Sequence, residues 1–230
     1  MAGLEKLRMY ISGERCDAAN GETFESLYPF TGKAWATVPR GAAEDVNRAV
    51  EAAKKAFNAG AWPAMSATQR GHLLRRLGDL LLENAERLGK LEVQDNGKLI
   101  AEMGMQTQYS AQWYYYFGGL ADKIEGAVLP IDKPDTFTYT RSEPLGVVGM
   151  ITAWNSPILL LTFKLAAALA AGNTVVVKPS EFTSASTLAF ADLVEQAGFP
   201  DGGFNVITGY GQEAGEALVS HPDVAKIAFT

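Results

Sequence analysis

In "AAEDVNRAVEAAKKAF" the apolar residues Val46, Ala49, Val50, Ala53 and Phe57 fall at i, i+3, i+4, i+7 and i+11. That period predicts a helix with one buried face. Glu44 and Asp45 lie in its first turn, where the helix dipole favours anions. From about Ser66 a second helical period sets Leu73, Leu74, Leu77, Leu80 and Leu81 against Arg75, Arg76, Asp79 and Glu83. A third helix is expected after "DNGK", Asp95 to Lys98. It carries the aromatic run Trp113 to Phe117, whose bulk reads as core or interface. Ahead of these helices, "MYISGERC" from Met9 to Cys16 reads as a short hairpin turning at Ser12-Gly13. A loop rich in Gly, Pro and Thr follows to about Gly41.

The pattern changes twice more. Between Gly126 and Pro144, Phe137 and Tyr139 alternate with Thr136, Thr138 and Thr140 among Pro-Asp turns, an extended excursion. From Leu145 short apolar runs alternate with helical ones: strand "GVVGMIT", helix Ile158 to Ala171, strand "NTVVVK", helix Ser184 to Ala197, strand "FNVIT", helix Glu213 to Ser220, strand "AKIAF". The reading is α/β, a parallel sheet covered on both faces by helices.

Composition narrows the chemistry. A formal net charge of −6 with no Lys/Arg cluster leaves no electrostatic footprint for nucleic acid or for an anionic membrane surface. The N-terminal "MAGLEKLRMYISGERC" has no long apolar stretch of the kind a signal peptide needs. The strongly apolar run Ile158 to Ala171 carries Lys164 and is too short to span a bilayer. A cytoplasmic protein is expected. With one cysteine, Cys16, neither an internal disulfide nor a cysteine-based metal site can form; His72 and His221 lie far apart and read as structural. Nothing near Cys16 argues for a depressed thiol pKa.

In open parallel sheets, ligands bind beyond the carboxyl ends of the strands, near helix N-termini. Those ends are Thr152-Ala153-Trp154-Asn155, Lys178-Pro179-Ser180-Glu181 and Gly209-Tyr210-Gly211. Gly209 to Gly215 is GxGxxxG between a strand and a helix, either a nucleotide turn or glycines required by a tight connection. Asn155 is either a ligand-facing amide or a helix cap before Ser156-Pro157. Lys178 and Glu181 are either a ligand-binding pair or a solvated strand end.

Together the segments "EDVNRAVEAAKKAF", "DNGK", "LPID", "EPLGVVGMITAWNSP", "KLAAALAAGNTVVVKPSE", "AGFPDGGFNVITGYGQEAG" and "HPDVAKIAFT" resemble, in order, the NAD(P)-dependent aldehyde dehydrogenase superfamily. The resemblance implies a Rossmann-like dinucleotide-binding domain over residues 1–125 and 146–230, with residues 126–145 an oligomerisation hairpin. It implies that Asn155 is the amide that stabilises the oxyanion formed when a thiolate attacks an aldehyde. Lys178 and Glu181 would hold the adenosine ribose, and Lys164 would belong to the helix below the active site. Thr152, Ala153, Trp154, Ser180, Gly209 and Gly211 would line the cofactor.

Further implications concern the cofactor and the rest of the protein. The implied cofactor is NAD, with NADP second, because the Glu181 carboxylate accepts from ribose hydroxyls and repels a 2′-phosphate. The implied partners are a small-molecule aldehyde and further copies of the chain, as a homodimer or homotetramer. Ala153-Trp154-Asn155-Ser156-Pro157 stands where Pro-Trp-Asn-Phe-Pro is commoner, so the substrate approach should differ in size. The chain stops at Phe229-Thr230, where the family continues toward its nucleophilic cysteine and general-base glutamate. It is therefore expected to be the N-terminal, cofactor-binding portion, truncated before the catalytic domain and inactive alone. The alternatives are a non-catalytic nucleotide-binding or assembly subunit, or a portion of an acylating, CoA-dependent relative.

Overall fold

In the computed structural model, which describes residues 3–230, the centre of the chain is a six-stranded sheet. Met1 and Ala2 of the N-terminal stretch read above lie outside the described residues. The first strands are β1 (Glu5–Lys6), β2 (Met9–Ile11) and β3 (Glu14–Cys16), and β2 and β3 pair as the expected hairpin. The segment expected to be a loop up to Gly41 instead holds β4 (Thr23–Tyr28) and β5 (Lys33–Pro39). They pair antiparallel and join β1 in a separate three-stranded sheet. Their side chains do not alternate cleanly between apolar and polar, so period alone does not reveal them.

Helices α1 (Ala43–Asn58), α2 (Ala61–Ala64), α3 (Ala67–Glu83), α4 (Ala85–Asn96) and α5 (Ile100–Leu120) follow. Ser66 and Gln69 close a capping box at the start of α3, which fixes its entry at the expected residue. The break at Asn84 starts α4, an element the leucine period does not announce. Gly97, at φ 74°, ends it in the left-handed conformation that glycine adopts without steric cost. Within α5, Tyr114 is fully buried and Tyr116 is exposed, so the aromatic run divides between core and surface. The excursion is a short hairpin of β6 (Val128–Leu129) with β7 (Thr138–Tyr139), exposed along most of its length.

The remaining elements are β8 (Val147–Ile151), α6 (Pro157–Ala170), β9 (Thr174–Lys178), α7 (Ala185–Gln196) and β10 (Phe204–Val206). A π-helical turn (Gly211–Gly215), α8 (Glu216–Val219) and β11 (Val224–Phe229) complete the chain. The single helix expected over Glu213 to Ser220 is thus a π turn that passes into one short α turn. Strand order is β11-β8-β9-β10-β2-β3, with the first four parallel. Alternation along these strands divides the core. Val148, Met150, Val175 and Val177 pack with α6 and α7 on one face, and Val147 and Val176 pack with α1 on the other. Burying each such side chain contributes about 1.5–3 kcal/mol. The fold is Rossmann-like α/β with both sheet faces covered. Among the described residues no helix is long and apolar enough to cross a membrane.

Candidate cofactor and active-site rim

The chain lays down β8, β9 and β10 outward and then returns to place β11 on the other side of β8. Strand order therefore reverses between β8 and β11. In open parallel sheets such a reversal is where ligands bind, beyond the carboxyl ends of the strands. The loop Thr152–Ser156 sits at that point, directly after β8.

Thr152 is buried, and its amide continues the ladder to the Lys178 carbonyl at 3.3 Å. Its hydroxyl has no hydrogen-bond partner among the described residues. A buried hydroxyl without a partner carries a desolvation cost that a ligand or water can relieve. Ala153 is half-buried, and Trp154 and Asn155 are exposed. The cap of α6 is Ser156, not Asn155, and Pro157 takes the first helical position. Asn155 is thus released from the capping alternative. Its main-chain carbonyl accepts from Asn96 Nδ2 at 3.4 Å. Ser156 is buried, and its hydroxyl accepts from Lys98 Nζ at 3.4 Å.

Lys178 is not a solvated strand end. Its side chain is 3% exposed and bonds Glu181 Oε2 at 3.0 Å, while Glu181 stays 27% exposed at the rim. An ammonium group carries three donors, so this bond leaves capacity at the buried end of the pair. Ser180 lies between them, and its hydroxyl accepts from the Phe182 amide at 3.3 Å.

The glycines of the GxGxxxG segment differ. Gly209 has φ +138°, and a Cβ there would lie 2.3 Å from the Gly41 carbonyl oxygen, so its need is internal packing. A Cβ on Gly211 would meet nothing within 4 Å, so its face is open to a ligand. Arg40, at the end of β5, bonds Glu213 through two nitrogens at 3.0 and 2.6 Å and lies over the Tyr210 ring. Tyr210 packs on Phe24. The β4–β5 hairpin thereby closes one side of a cavity of about 540 Å³ that also reaches Trp154, Glu181 and Phe182.

Lys164 lies two turns into α6. It donates to the Leu160 carbonyl at 3.1 Å and bonds the Thr230 hydroxyl, and burial lowers its pKa. Cys16 is remote from all of this, since β3 is the opposite edge strand, with β9, β10 and β2 between it and β8. Burial raises its thiol pKa, which favours the unreactive protonated form.

Sequence reasoning did not single out Glu92, Asp95, Asn96 or Arg40. Glu92 and Asp95 are buried on α4. Glu92 accepts from the Ile158 amide at 2.9 Å. Asp95 accepts from the Ser26 hydroxyl at 2.7 Å and from the Ala185 amide at 2.9 Å. Desolvation raises their pKa values to about 7 and about 6 respectively. The available signal was an acid three residues ahead of the Asp95 that opens "DNGK", on the face that otherwise buries Leu88.

Comparison with known proteins gives one consistent result. Residues 16–230 match the family described as "Aldehyde dehydrogenase family". The chain is 48% identical over 227 residues to the (Z)-2-((N-methylformamido)methylene)-5-hydroxybutyrolactone dehydrogenase of Acinetobacter baylyi, covering 99% of this chain and 46% of that protein. It is 45% identical over 225 residues to aldehyde dehydrogenase family 2 member C4 of Arabidopsis thaliana, covering 97% and 45%. Among solved structures, an NAD+ complex of an aldehyde dehydrogenase from Bacillus cereus superposes with a TM-score of 0.95 at 42% identity, covering 98% of this chain and 46% of that one. The chain spans about half the length of the curated relatives it matches.

Proposed function

The chain belongs to the aldehyde dehydrogenase family, and from that premise we propose that these residues are the NAD-binding portion of an enzyme that oxidises a small-molecule aldehyde to a carboxylic acid. The observation that carries this reading is the buried Lys178 ammonium paired with Glu181 on the rim that also presents Asn155. The donor set fits NAD. Lys178 donates to, and Glu181 accepts from, adenosine ribose hydroxyls, and the open face of Gly211 admits the adenine side. Thr152, Ala153, Trp154 and Ser180 complete the lining. NAD, when bound, accepts a hydride from the substrate carbon.

The residues of this chain bind and orient. The Asn155 amide donates to the substrate oxygen as negative charge develops there, and an amide suits this task because it donates at any pH. Lys164 belongs to α6, the helix below the site. The thiolate that attacks the carbonyl is assigned to a residue outside the chain, since Cys16 is half-buried, its thiol pKa is raised by burial, and it lies four strands from β8. The reading therefore treats the chain as the cofactor-binding half of the catalytic unit. The hairpin of residues 126–145 exposes Val128, Phe137 and Tyr139, which supports a contact between copies in a homodimer or homotetramer.

Titration of the protein with NAD, followed by calorimetry and by quenching of the intrinsic tryptophan fluorescence, tests the proposal. Saturable binding that Lys178→Met weakens at least tenfold is expected. Failure of the wild type to bind NAD, or Lys178→Met affinity equal to wild type, contradicts it.

A further inference from the structure

Helix α6 begins without a cap of its own. Ser156 makes no side-chain capping bond and Pro157 has no amide hydrogen, so Ile158 carries the first amide that needs a partner. That partner comes from another helix. Glu92 Oε1 accepts the Ile158 N–H at 2.9 Å, and Glu92 is 1% exposed. Burying a carboxyl group is costly; Lys98 acts on it only through space, since its Nζ bonds Glu102 at 2.7 Å, and no ion pair to Glu92 forms among the described residues. The other charged group facing Glu92 is Asp95, on the same helix, and the Ser186 hydroxyl approaches it from α7.

The same corner grips the rest of the loop. Asn96 holds the Asn155 carbonyl and Lys98 reaches the Ser156 hydroxyl, each at 3.4 Å. Residues 155, 156 and 158 are thus anchored from the α4–α5 junction while Asn155 itself stays exposed.

We infer that Glu92 is a positioning residue for aldehyde oxidation: by accepting the first amide of α6 it fixes the turn that presents the Asn155 amide to the substrate oxygen. The inference rests on the reading of Asn155 as the oxyanion donor. Displacement of about 1 Å at such a donor is enough to cost up to about 10²-fold in rate. A carboxylate is not itself required. Glutamine keeps an acceptor oxygen of the same reach, whereas alanine leaves the Ile158 amide without one.

The test is steady-state kinetics of Glu92→Ala, Glu92→Gln, Asn155→Ala and the Glu92→Ala/Asn155→Ala double variant in the aldehyde-oxidising enzyme. Glu92→Ala should lower kcat about tenfold with KM for NAD nearly unchanged, and Glu92→Gln should restore most of the loss. The double variant should be no slower than Asn155→Ala alone, because Glu92 acts through Asn155. Losses that multiply in the double variant, or a normal kcat in Glu92→Ala beside an impaired Asn155→Ala, overturn the role of Glu92. A loss in Glu92→Gln as deep as in Glu92→Ala overturns it as well, since the carboxyl would then be needed for itself. A normal kcat in Asn155→Ala instead removes the oxyanion reading, a separate failure. If Glu92→Ala does not fold, Glu92→Asp, with its carboxyl drawn back by one methylene, gives the same comparison: a loss that vanishes in the Asn155→Ala background supports the role, and one that multiplies overturns it.

Discussion

Lys178 Nζ and Glu181 Oε2 meet at 3.0 Å across one turn of chain, the lysine sealed beneath the end of β9 and the glutamate open at the rim. Burial fixes the lysine, and the lysine fixes the glutamate. Removing one partner of a buried pair leaves the other charge uncompensated, so the pair is rigid as well as charged. Its exposed side is an acceptor on the wall where NAD is proposed to bind.

That geometry sets cofactor preference. At about 4 Å and an effective dielectric of about 20, a carboxylate and a 2′-phosphate repel by about 4 kcal/mol per unit charge before solvent screening. The enzyme should prefer NAD to NADP, and Glu181→Gln should shrink the preference about tenfold or more. Comparing kcat/KM for the two cofactors in both forms measures this. An unchanged ratio removes Glu181 from the ribose.

The two glycines of the turn should separate. Gly209→Ala forces a side chain against the Gly41 carbonyl at positive φ, and a destabilisation of about 1–3 kcal/mol is expected. Gly211→Ala has room and should keep the melting temperature while weakening NAD binding. Thermal melts beside NAD titrations distinguish them, and a Gly211→Ala protein that binds NAD normally withdraws that glycine from the cofactor.

Asn155→Ala should lower kcat by about 10²–10³ with little change in melting temperature, because Ser156 and not Asn155 occupies the N-cap position of α6. A normal kcat with a lowered melting temperature would reinstate a structural role for Asn155.

Stability should fall as pH rises from about 4.5 to about 7. Burial raises the Glu92 pKa from 4.5 to about 7, so the folded state holds this proton more tightly than the unfolded chain. The stabilisation is complete below the unfolded value and is lost as pH passes the folded one, about 3 kcal/mol in all. Asp95 acts in the same direction up to about 6. Urea unfolding across this range should give a shallower decline for Glu92→Gln than for wild type; parallel curves would contradict the assignment.

Cys16→Ser should leave NAD affinity and aldehyde oxidation unchanged, since the thiol lies in the edge strand β3. A loss of turnover in that variant would make Cys16 the nucleophile and overturn the placement of the reaction at β8.

Some of this was legible in residue order because the causes are local. Val46 to Phe57 repeat with the helical period, and Val147–Ile151 and Thr174–Lys178 are short apolar runs bounded by turns, so α1, β8 and β9 follow from spacing alone. The position of Asn155, Lys178 and Gly211 at the carboxyl ends of successive strands followed from the same alternation. Other features depend on partners distant in the chain. The β4–β5 strands form through cross-strand pairing and a cap of Tyr210 on Phe24, which no local period encodes. Gly209 and Gly211 look alike in sequence, and only the approach of Gly41 to one of them makes their roles differ. Glu92 reads as an ordinary helical acid until α6 arrives with an uncapped amide 66 positions away. Local hydrogen bonding and period settle elements, and burial, which depends on what the rest of the chain brings alongside, decides which polar side chains hold the site in place.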